Sequence, residues 1–365
     1  MSTLFDVDTP ALLVDTATLD RNITAMAALA ERNGKKLRPH IKTHKSPHIA
    51  RLQLEAGAVG LTAAKLGEAE VMVEAGITDI LIAYPLVGAC KLRRLEALLG
   101  KADITVALDS VEVAAGLSEL GVRLGRRLPV YVEVDTGLER LGQEGGEPSL
   151  ELALEIAALD GIEVTGVMTH GGHVSSATDP AGVERLARAQ AETLVETAEL
   201  LCSHGLDIRH VSTGSTPAVA FEAVTPGVTE LRPGTYVFND SNTVDRWAAR
   251  PEDCAAFVLA TVVSRPAPDR VVIDAGSKTL GADARVGGRS GAGIIPDLPD
   301  HEVVRLSEEH GVVSVSADSP LRIGDQLRII PNHICPAVNL SDSLIAVRDG
   351  AVIDEWPVAA RGKRT

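Results

Sequence analysis

Eight short apolar runs recur through the first two-thirds of the chain, each set off from the next by a longer stretch of mixed polarity. The runs fall at residues 37–41, 58–61, 80–83, 104–107, 130–134, 164–168, 210–211 and 229–231. Stretches with helical periodicity lie at 46–55, 66–74, 90–99, 110–120, 150–159 and 181–202, and a further one, 20–32, precedes the first run. Strands buried on both faces of a parallel sheet read as short continuous apolar runs. Their alternation with helices implies parallel strands joined by right-handed crossovers. Eight such units close naturally into a (β/α)8 TIM-type barrel. A doubly wound open sheet is the alternative, but no GxGxxG motif follows the first run.

After Asp240 the pattern changes. Short strand-like runs at 258–263, 270–273, 311–315, 326–330, 343–347 and 352–355 are separated by Gly, Pro and Asp, with no long helical period. This reads as an antiparallel β domain, to which the early run 11–15 can add a strand. The expected division is a barrel over residues 16–245 and a β domain over 1–15 and 246–365.

Composition narrows the function classes. Asp plus Glu number 50 against 35 Lys plus Arg, a net charge of −15, and aromatic residues make up only 2%. That balance argues against nucleic-acid or anionic-membrane binding and against a base-stacking platform. No apolar run is long enough to span a membrane, and residues 1–10 lack a charged-then-apolar leader pattern. The four cysteines, at 90, 202, 254 and 335, have no close spacing. A disulfide framework is therefore not expected, and a cytoplasmic setting is.

The densest chemical segment follows the first run: Arg38-Pro39-His40-Ile41-Lys42-Thr43-His44-Lys45-Ser46-Pro47-His48. It could be a solvated basic loop, but active sites of barrels form at the C-terminal ends of their strands. A lysine there, desolvated or crowded by cations, can lose its proton and attack a carbonyl as an imine-forming amine. Lys42 is the candidate; Lys45 is expected to open the next helix in solvent. After the seventh and eighth runs come Thr213-Gly214-Ser215-Thr216 and Arg232-Pro233-Gly234-Thr235-Tyr236, the two loops where barrels bind phosphate. After the fifth lies Asp135-Thr136-Gly137-Leu138-Glu139-Arg140, whose Arg140 can reach the barrel mouth. After the sixth lies His170-Gly171-Gly172-His173, two histidines in a tight loop. Finally, His333-Ile334-Cys335 after a strand would place imidazole and thiolate on one face. That donor set favours zinc over magnesium or calcium and leaves coordination positions open.

Together these segments resemble the fold-type III pyridoxal-phosphate enzymes, typified by alanine racemase, and within them the D-serine dehydratase and D-threonine aldolase branch. The resemblance runs from Asp8-Thr9-Pro10-Ala11 to the C-terminus. It implies that Lys42, in a motif shared with His40, forms the imine with pyridoxal 5'-phosphate, that Arg140 approaches the cofactor ring hydroxyl, and that Tyr236 contacts the phosphate. It implies that His333 and Cys335 hold a divalent metal, zinc ahead of manganese, and that the protein is a homodimer. Its alanine racemases take a second base from a C-terminal tyrosine. The tyrosines here are 84, 131 and 236, so that residue is missing and racemisation is set aside.

Two lyase reactions remain, both requiring a β-hydroxy D-amino acid. In the dehydratase reaction the metal makes the β-hydroxyl a better leaving group and a 2-oxo acid and ammonia result. In the aldolase reaction a base, His170 or His173, takes the hydroxyl proton, and glycine and an aldehyde leave. His-x-Cys resembles the dehydratases and His-x-Asp the aldolases, although Val174-Ser175-Ser176 stands where the dehydratase loop often carries a tyrosine. A non-catalytic cofactor carrier and a cofactor-independent zinc hydrolase are the readings from other classes; visible cofactor absorbance separates the second from the rest.

Overall fold

The computed structural model describes residues 6–365; residues 1–5 of the expected β domain lie outside them. The chain divides into two compact units. One contains Met26–Lys42, Ile49–Gly234 and Lys363–Thr365. The other contains residues 6–25, Thr43–His48 and Thr235–Gly362.

In the first unit each of the eight expected runs contributes a strand: Lys36–Leu37, Leu61–Ala63, Asp79–Ile82, Asp103–Leu108, Leu128–Asp135, Ile162–Met168, His210–Thr213 and Glu230–Leu231. Neighbours pair in parallel. The first and second strands complete the ring: Val59 donates to the Leu37 carbonyl, Thr62 to Pro39 and Ile41 to Thr62, each at 2.9 Å. The sheet is thus a closed barrel. The first strand is the least regular, because Pro39 has no N–H to give the ladder.

Alternation along the strands sorts residues into two layers. Ile80, Ile82, Ile104, Val106, Val130 and Val132 pack with the helix residues Leu95, Leu117 and Ile156. The intervening Leu81, Ala107, Tyr131 and Met168 form a separate cluster. Charged groups bridge strands as well. Arg38 Nε donates to Glu230 Oε2 at 2.8 Å and Nη1 to Asp79 Oδ1 at 2.5 Å. Ser212 Oγ donates to Glu230 Oε1 at 2.6 Å, and Arg232 Nη1 to Ser212 Oγ at 2.5 Å.

The second unit is an eight-stranded sheet of Ala11–Asp15, Ala256–Ala267, Arg270–Ile273, Glu302–Leu306, Gly311–Ser314, Gln326–Ile329, Ser343–Arg348 and Ala351–Pro357. Leu13, Phe257, Leu259 and Val347 form a buried cluster on it. The early strand pairs antiparallel with Ala256–Ala267 but parallel with Ser343–Arg348. The expected antiparallel β domain is present, and that one pairing is its single parallel ladder among the described residues. Glu302–Leu306 was not anticipated; Glu302 and Arg305 disguise a strand of which only Val303 is buried. Lys45 is corrected too: it is buried, at φ +52°, with Nζ 3.5 Å from the Ala360 carbonyl oxygen, and the following helix begins at Pro47. Among the described residues no helix is long and apolar enough to cross a membrane.

Candidate active site

The C-terminal ends of the barrel strands surround a cavity of about 360 Å³. His40 and Lys42 follow the first strand, Lys65 the second and Tyr84 the third. Glu133 and Arg140 come from the fifth strand and its loop, His170 from the sixth, Gly214 from the seventh and Arg232 from the eighth. Four cationic side chains, Lys42, Lys65, Arg140 and Arg232, line it against one carboxylate, Glu133. In a chain of net charge −15, such a cavity selects anionic ligands.

The electrostatics follow from burial and those charges. Burial, reinforced by Lys42 and Arg140, pushes the His170 pKa down to about 3. Its Nδ1 lies 3.1 Å from the Gly214 carbonyl oxygen, which can only accept. Nδ1 therefore carries the proton and Nε2 is an acceptor. Burial raises the Glu133 pKa, while Arg232 and Arg140 pull it down. Arg232 is buried, with Nη2 donating to the Thr169 carbonyl at 2.6 Å.

Gly214 makes the close approach possible. Its φ is +156°, and a Cβ there would meet the Arg232 backbone nitrogen at 2.6 Å. Only glycine lets this loop lie against the eighth strand and still face the cavity. A bare backbone cradle and a cationic lining that includes a lysine after the first strand fit a phosphate-bearing carbonyl cofactor.

Of the residues singled out in the sequence, the cavity brings together His40, Lys42, Arg140, His170 and Gly214. Thr213, Ser215 and Thr216 belong to the same loop without lining it; Ser215 Oγ donates to the Gly171 carbonyl at 3.2 Å. His173 lies in the turn Gly172–Ser176, outside the lining. Tyr236 belongs to the other unit, buried in the turn Thr235–Val237. Sequence reasoning missed Lys65, Tyr84 and Glu133, and gave Arg232 no role. Glu133 did carry a signal: a lone acid inside the apolar strand Leu128–Asp135 faces the barrel interior.

His333 and Cys335 lie in the second unit. His333 precedes the short helix Ile334–Leu340, so Cys335 is helical and the period-two strand argument is corrected. A different device brings the pair together. Asp240, almost fully buried, accepts from His333 Nδ1 at 2.9 Å and from the Ile334 N–H at 3.1 Å. Burial would lower the His333 pKa, but Cys335 and Asp240 beside it dominate and raise it to about 11. Cys335 Sγ lies 3.4 Å from Thr43 Oγ1. A carboxylate fixing one imidazole nitrogen is the usual support of a metal-binding histidine, so the nitrogen and sulfur donors fit a borderline-soft divalent ion. No group of three or more His, Cys, Asp or Glu side chains is arranged for a metal among the described residues. The fit is that of a two-donor site, completed by water or substrate.

Residues 14–242 match the family described as "Alanine racemase, N-terminal domain", and residues 255–347 match the "Putative serine dehydratase domain". The chain belongs to the alanine racemase-like, fold-type III pyridoxal-phosphate family. A D-threonine aldolase of Arthrobacter sp is 37% identical to this family member over 360 residues, covering 98% of this chain and 93% of the aldolase. Among solved structures, D-threonine aldolase from Filomicrobium marinum superposes with a TM-score of 0.93 at 35% identity, covering 99% of this chain and 98% of that one. D-threo-3-hydroxyaspartate dehydratase from Delftia sp. HT23 does so at 0.91 and 32%, covering 98% and 99%. That dehydratase is also known as variants replacing a histidine, or a cysteine two positions later, by alanine; the cysteine variant is in "the metal-free form".

Proposed function

We propose that this family member is a pyridoxal-phosphate- and metal-dependent lyase of β-hydroxy D-amino acids, working as a homodimer, and that its reaction is the dehydratase one. D-serine or D-threonine would give a 2-oxo acid and ammonia. The observation that carries this reading is the His333–Cys335 pair braced on Asp240, since the Delftia dehydratase variants alter a histidine and a cysteine at the same spacing.

Lys42, His40, Arg140 and the Gly214 loop would hold the cofactor, with Thr213, Ser215, Thr216 and Tyr236 on the phosphate side. Bound there, pyridoxal phosphate supplies a ring that stores the electron pair of a broken Cα bond. His333 and Cys335 would hold the metal, zinc before manganese, which supplies Lewis-acid polarisation of a β-hydroxyl. The Lys42 amine takes the Cα proton. The cationic lining binds the anionic groups of cofactor and substrate. His170, neutral with a pKa of about 3, presents Nε2 as a hydrogen-bond acceptor and is a poor proton acceptor.

Aldol cleavage is the second reading, favoured by the 37% identity to D-threonine aldolase along almost the whole chain. It needs a base for the β-hydroxyl proton, His170 or His173; His170 is poorly suited to that task, and His173 stands outside the cavity lining. Product analysis decides between them. Purified protein given D-serine, D-threonine and 3-hydroxy-D-aspartate in turn should release 2-oxo acid and ammonia; glycine and aldehyde alone would establish the aldolase reading instead. Lys42→Ala should abolish the visible absorbance of bound cofactor. A chelator should stop turnover and added zinc restore it.

A further inference from the structure

The cavity contains a cation–phenol pair to which neither the cofactor nor the metal reading gives a task. Strands Leu61–Ala63 and Asp79–Ile82 pair in parallel, with Leu61 opposite Ile80 and Ala63 opposite Ile82. That register brings the residues just beyond their C-terminal ends side by side. Lys65 precedes the helix Leu66–Glu74, and Tyr84 opens the loop to the helix Ala89–Leu99. Lys65 Nζ sits 3.2 Å from the centroid of the Tyr84 ring, and both side chains line the cavity. Tyr84 remains 38% exposed, so its hydroxyl is reachable from solvent.

The other cavity cations have tasks. Lys42 is the cofactor lysine. Arg140 stands 4.0 Å from Glu133 on the segment assigned to the cofactor ring. Arg232 is buried, with its guanidinium spent on Ser212 and Thr169. The Lys65 ammonium instead lies over an aromatic ring, a contact that holds it in place without neutralising it. Beside it the phenol offers a second donor. Lys65, and more weakly Lys91, lower the Tyr84 pKa, which makes the phenol a stronger hydrogen-bond donor. An amino acid whose amine is directed to the cofactor still presents a carboxylate, an ion costly to bury without charged hydrogen bonds.

We propose that Lys65 and Tyr84 form the carboxylate subsite for the amino-acid substrate, the Lys65 Nζ–H and the Tyr84 O–H each donating to one carboxylate oxygen. This rests on the amino-acid reading of the cavity given above. Both act as specificity determinants: they recognise the acid group and leave cofactor binding to other residues.

The test uses full-length holoenzyme, wild type, Lys65→Met, Lys65→Arg and Tyr84→Phe. Spectroscopic titrations of the bound cofactor use D-alanine and its amide, which lacks the carboxylate. Wild type should prefer the acid. Lys65→Met should weaken D-alanine binding, and raise KM for the turned-over substrate, about 10- to 100-fold, the loss expected for a charged hydrogen bond. Amide binding, kcat and cofactor affinity should stay within about twofold. Lys65→Arg should recover part of the loss, and Tyr84→Phe should show a smaller loss of the same kind. Equal loss for acid and amide, or a fall in cofactor affinity in Lys65→Met and Lys65→Arg alike, overturns the subsite. A fall in kcat without a change in KM on Tyr84→Phe also overturns it, by making the phenol a proton donor. A wild-type chain with no visible cofactor band overturns the subsite and the lyase reading together, whereas a wild type that binds both ligands without preferring the acid sinks the subsite alone.

Discussion

Glu222, in the helix Val219–Ala223 just after the Thr213–Thr216 loop, shows what burial does to a single ionisable side chain. It is fully buried and accepts from Gln190 Nε2. Burial pushes its pKa from 4.5 up to about 7, against the lowering influence of Thr213, Gln190 and Arg232. A carboxyl whose folded pKa is raised keeps its proton in the native state after the unfolded chain has lost it. Its contribution to stability is therefore complete below about pH 4.5 and is lost as pH rises through about 7, a total on the order of 3 kcal/mol. Unfolding midpoints in urea should show Glu222→Gln losing less stability than wild type between about pH 5 and about pH 8. Equal slopes for the two proteins would show that the side chain is not protonated in the native state. Nothing around position 222 in the sequence announces this, because its hydrogen-bond partner Gln190 lies 32 positions away.

Elements explain which features were legible. The barrel strands could be read because burial on both faces demands uninterrupted apolar side chains, as in Ile80-Leu81-Ile82. Lys42 was legible because it lies in the dense basic segment that follows the first barrel strand. Lys65 was not: alone it is an ordinary lysine before a helix, and only the register Leu61 opposite Ile80 sets it beside Tyr84. Asp240 was hidden for a similar reason. It reads as a helix cap, and it is one: Oδ1 accepts from Thr243 N at 2.8 Å, and Thr243 Oγ1 accepts from the Asp240 N–H. Its other oxygen holds His333, 93 residues on. The two tasks can be separated. Asp240→Ala should cost about 1–2 kcal/mol in denaturation, the usual value of a cap. Asp240→Asn should keep most of that stability yet weaken metal binding about 10- to 100-fold, as loss of a supporting carboxylate does. Metal titration of both variants checks this; undiminished affinity in Asp240→Asn would show that the carboxylate does not orient His333.

At the scale of the whole barrel, closure depends on charge as well as on backbone pairing. Arg38, just after the first strand, binds Glu230 on the eighth and Asp79 on the third. Glu230 is fully buried, and Arg38 is foremost among the neighbours that keep its pKa low despite burial. Arg38→Met would leave that carboxylate buried without its main partner, which should cost about 3–5 kcal/mol in thermal or urea unfolding. Adding Glu230→Gln should return part of the loss. A single substitution within about 1 kcal/mol of wild type would mean the pair is not needed to close the barrel. The basic segment that drew attention as chemistry is thus divided in use: Arg38 is structural, whereas Lys42 lines the cavity.

The chain passes between its two compact units five times, at 25/26, 42/43, 48/49, 234/235 and 362/363. One of those passages comes immediately after Lys42. The consequence is genetic. Neither unit corresponds to a contiguous stretch of gene, so no single truncation yields either one whole, and a fragment spanning 16–245 would carry residues 16–25, 43–48 and 235–245 of the second unit without any strand of its sheet. Module exchange within this family would have to swap interleaved segments together, including the six residues Thr43–His48 that follow Lys42 in sequence.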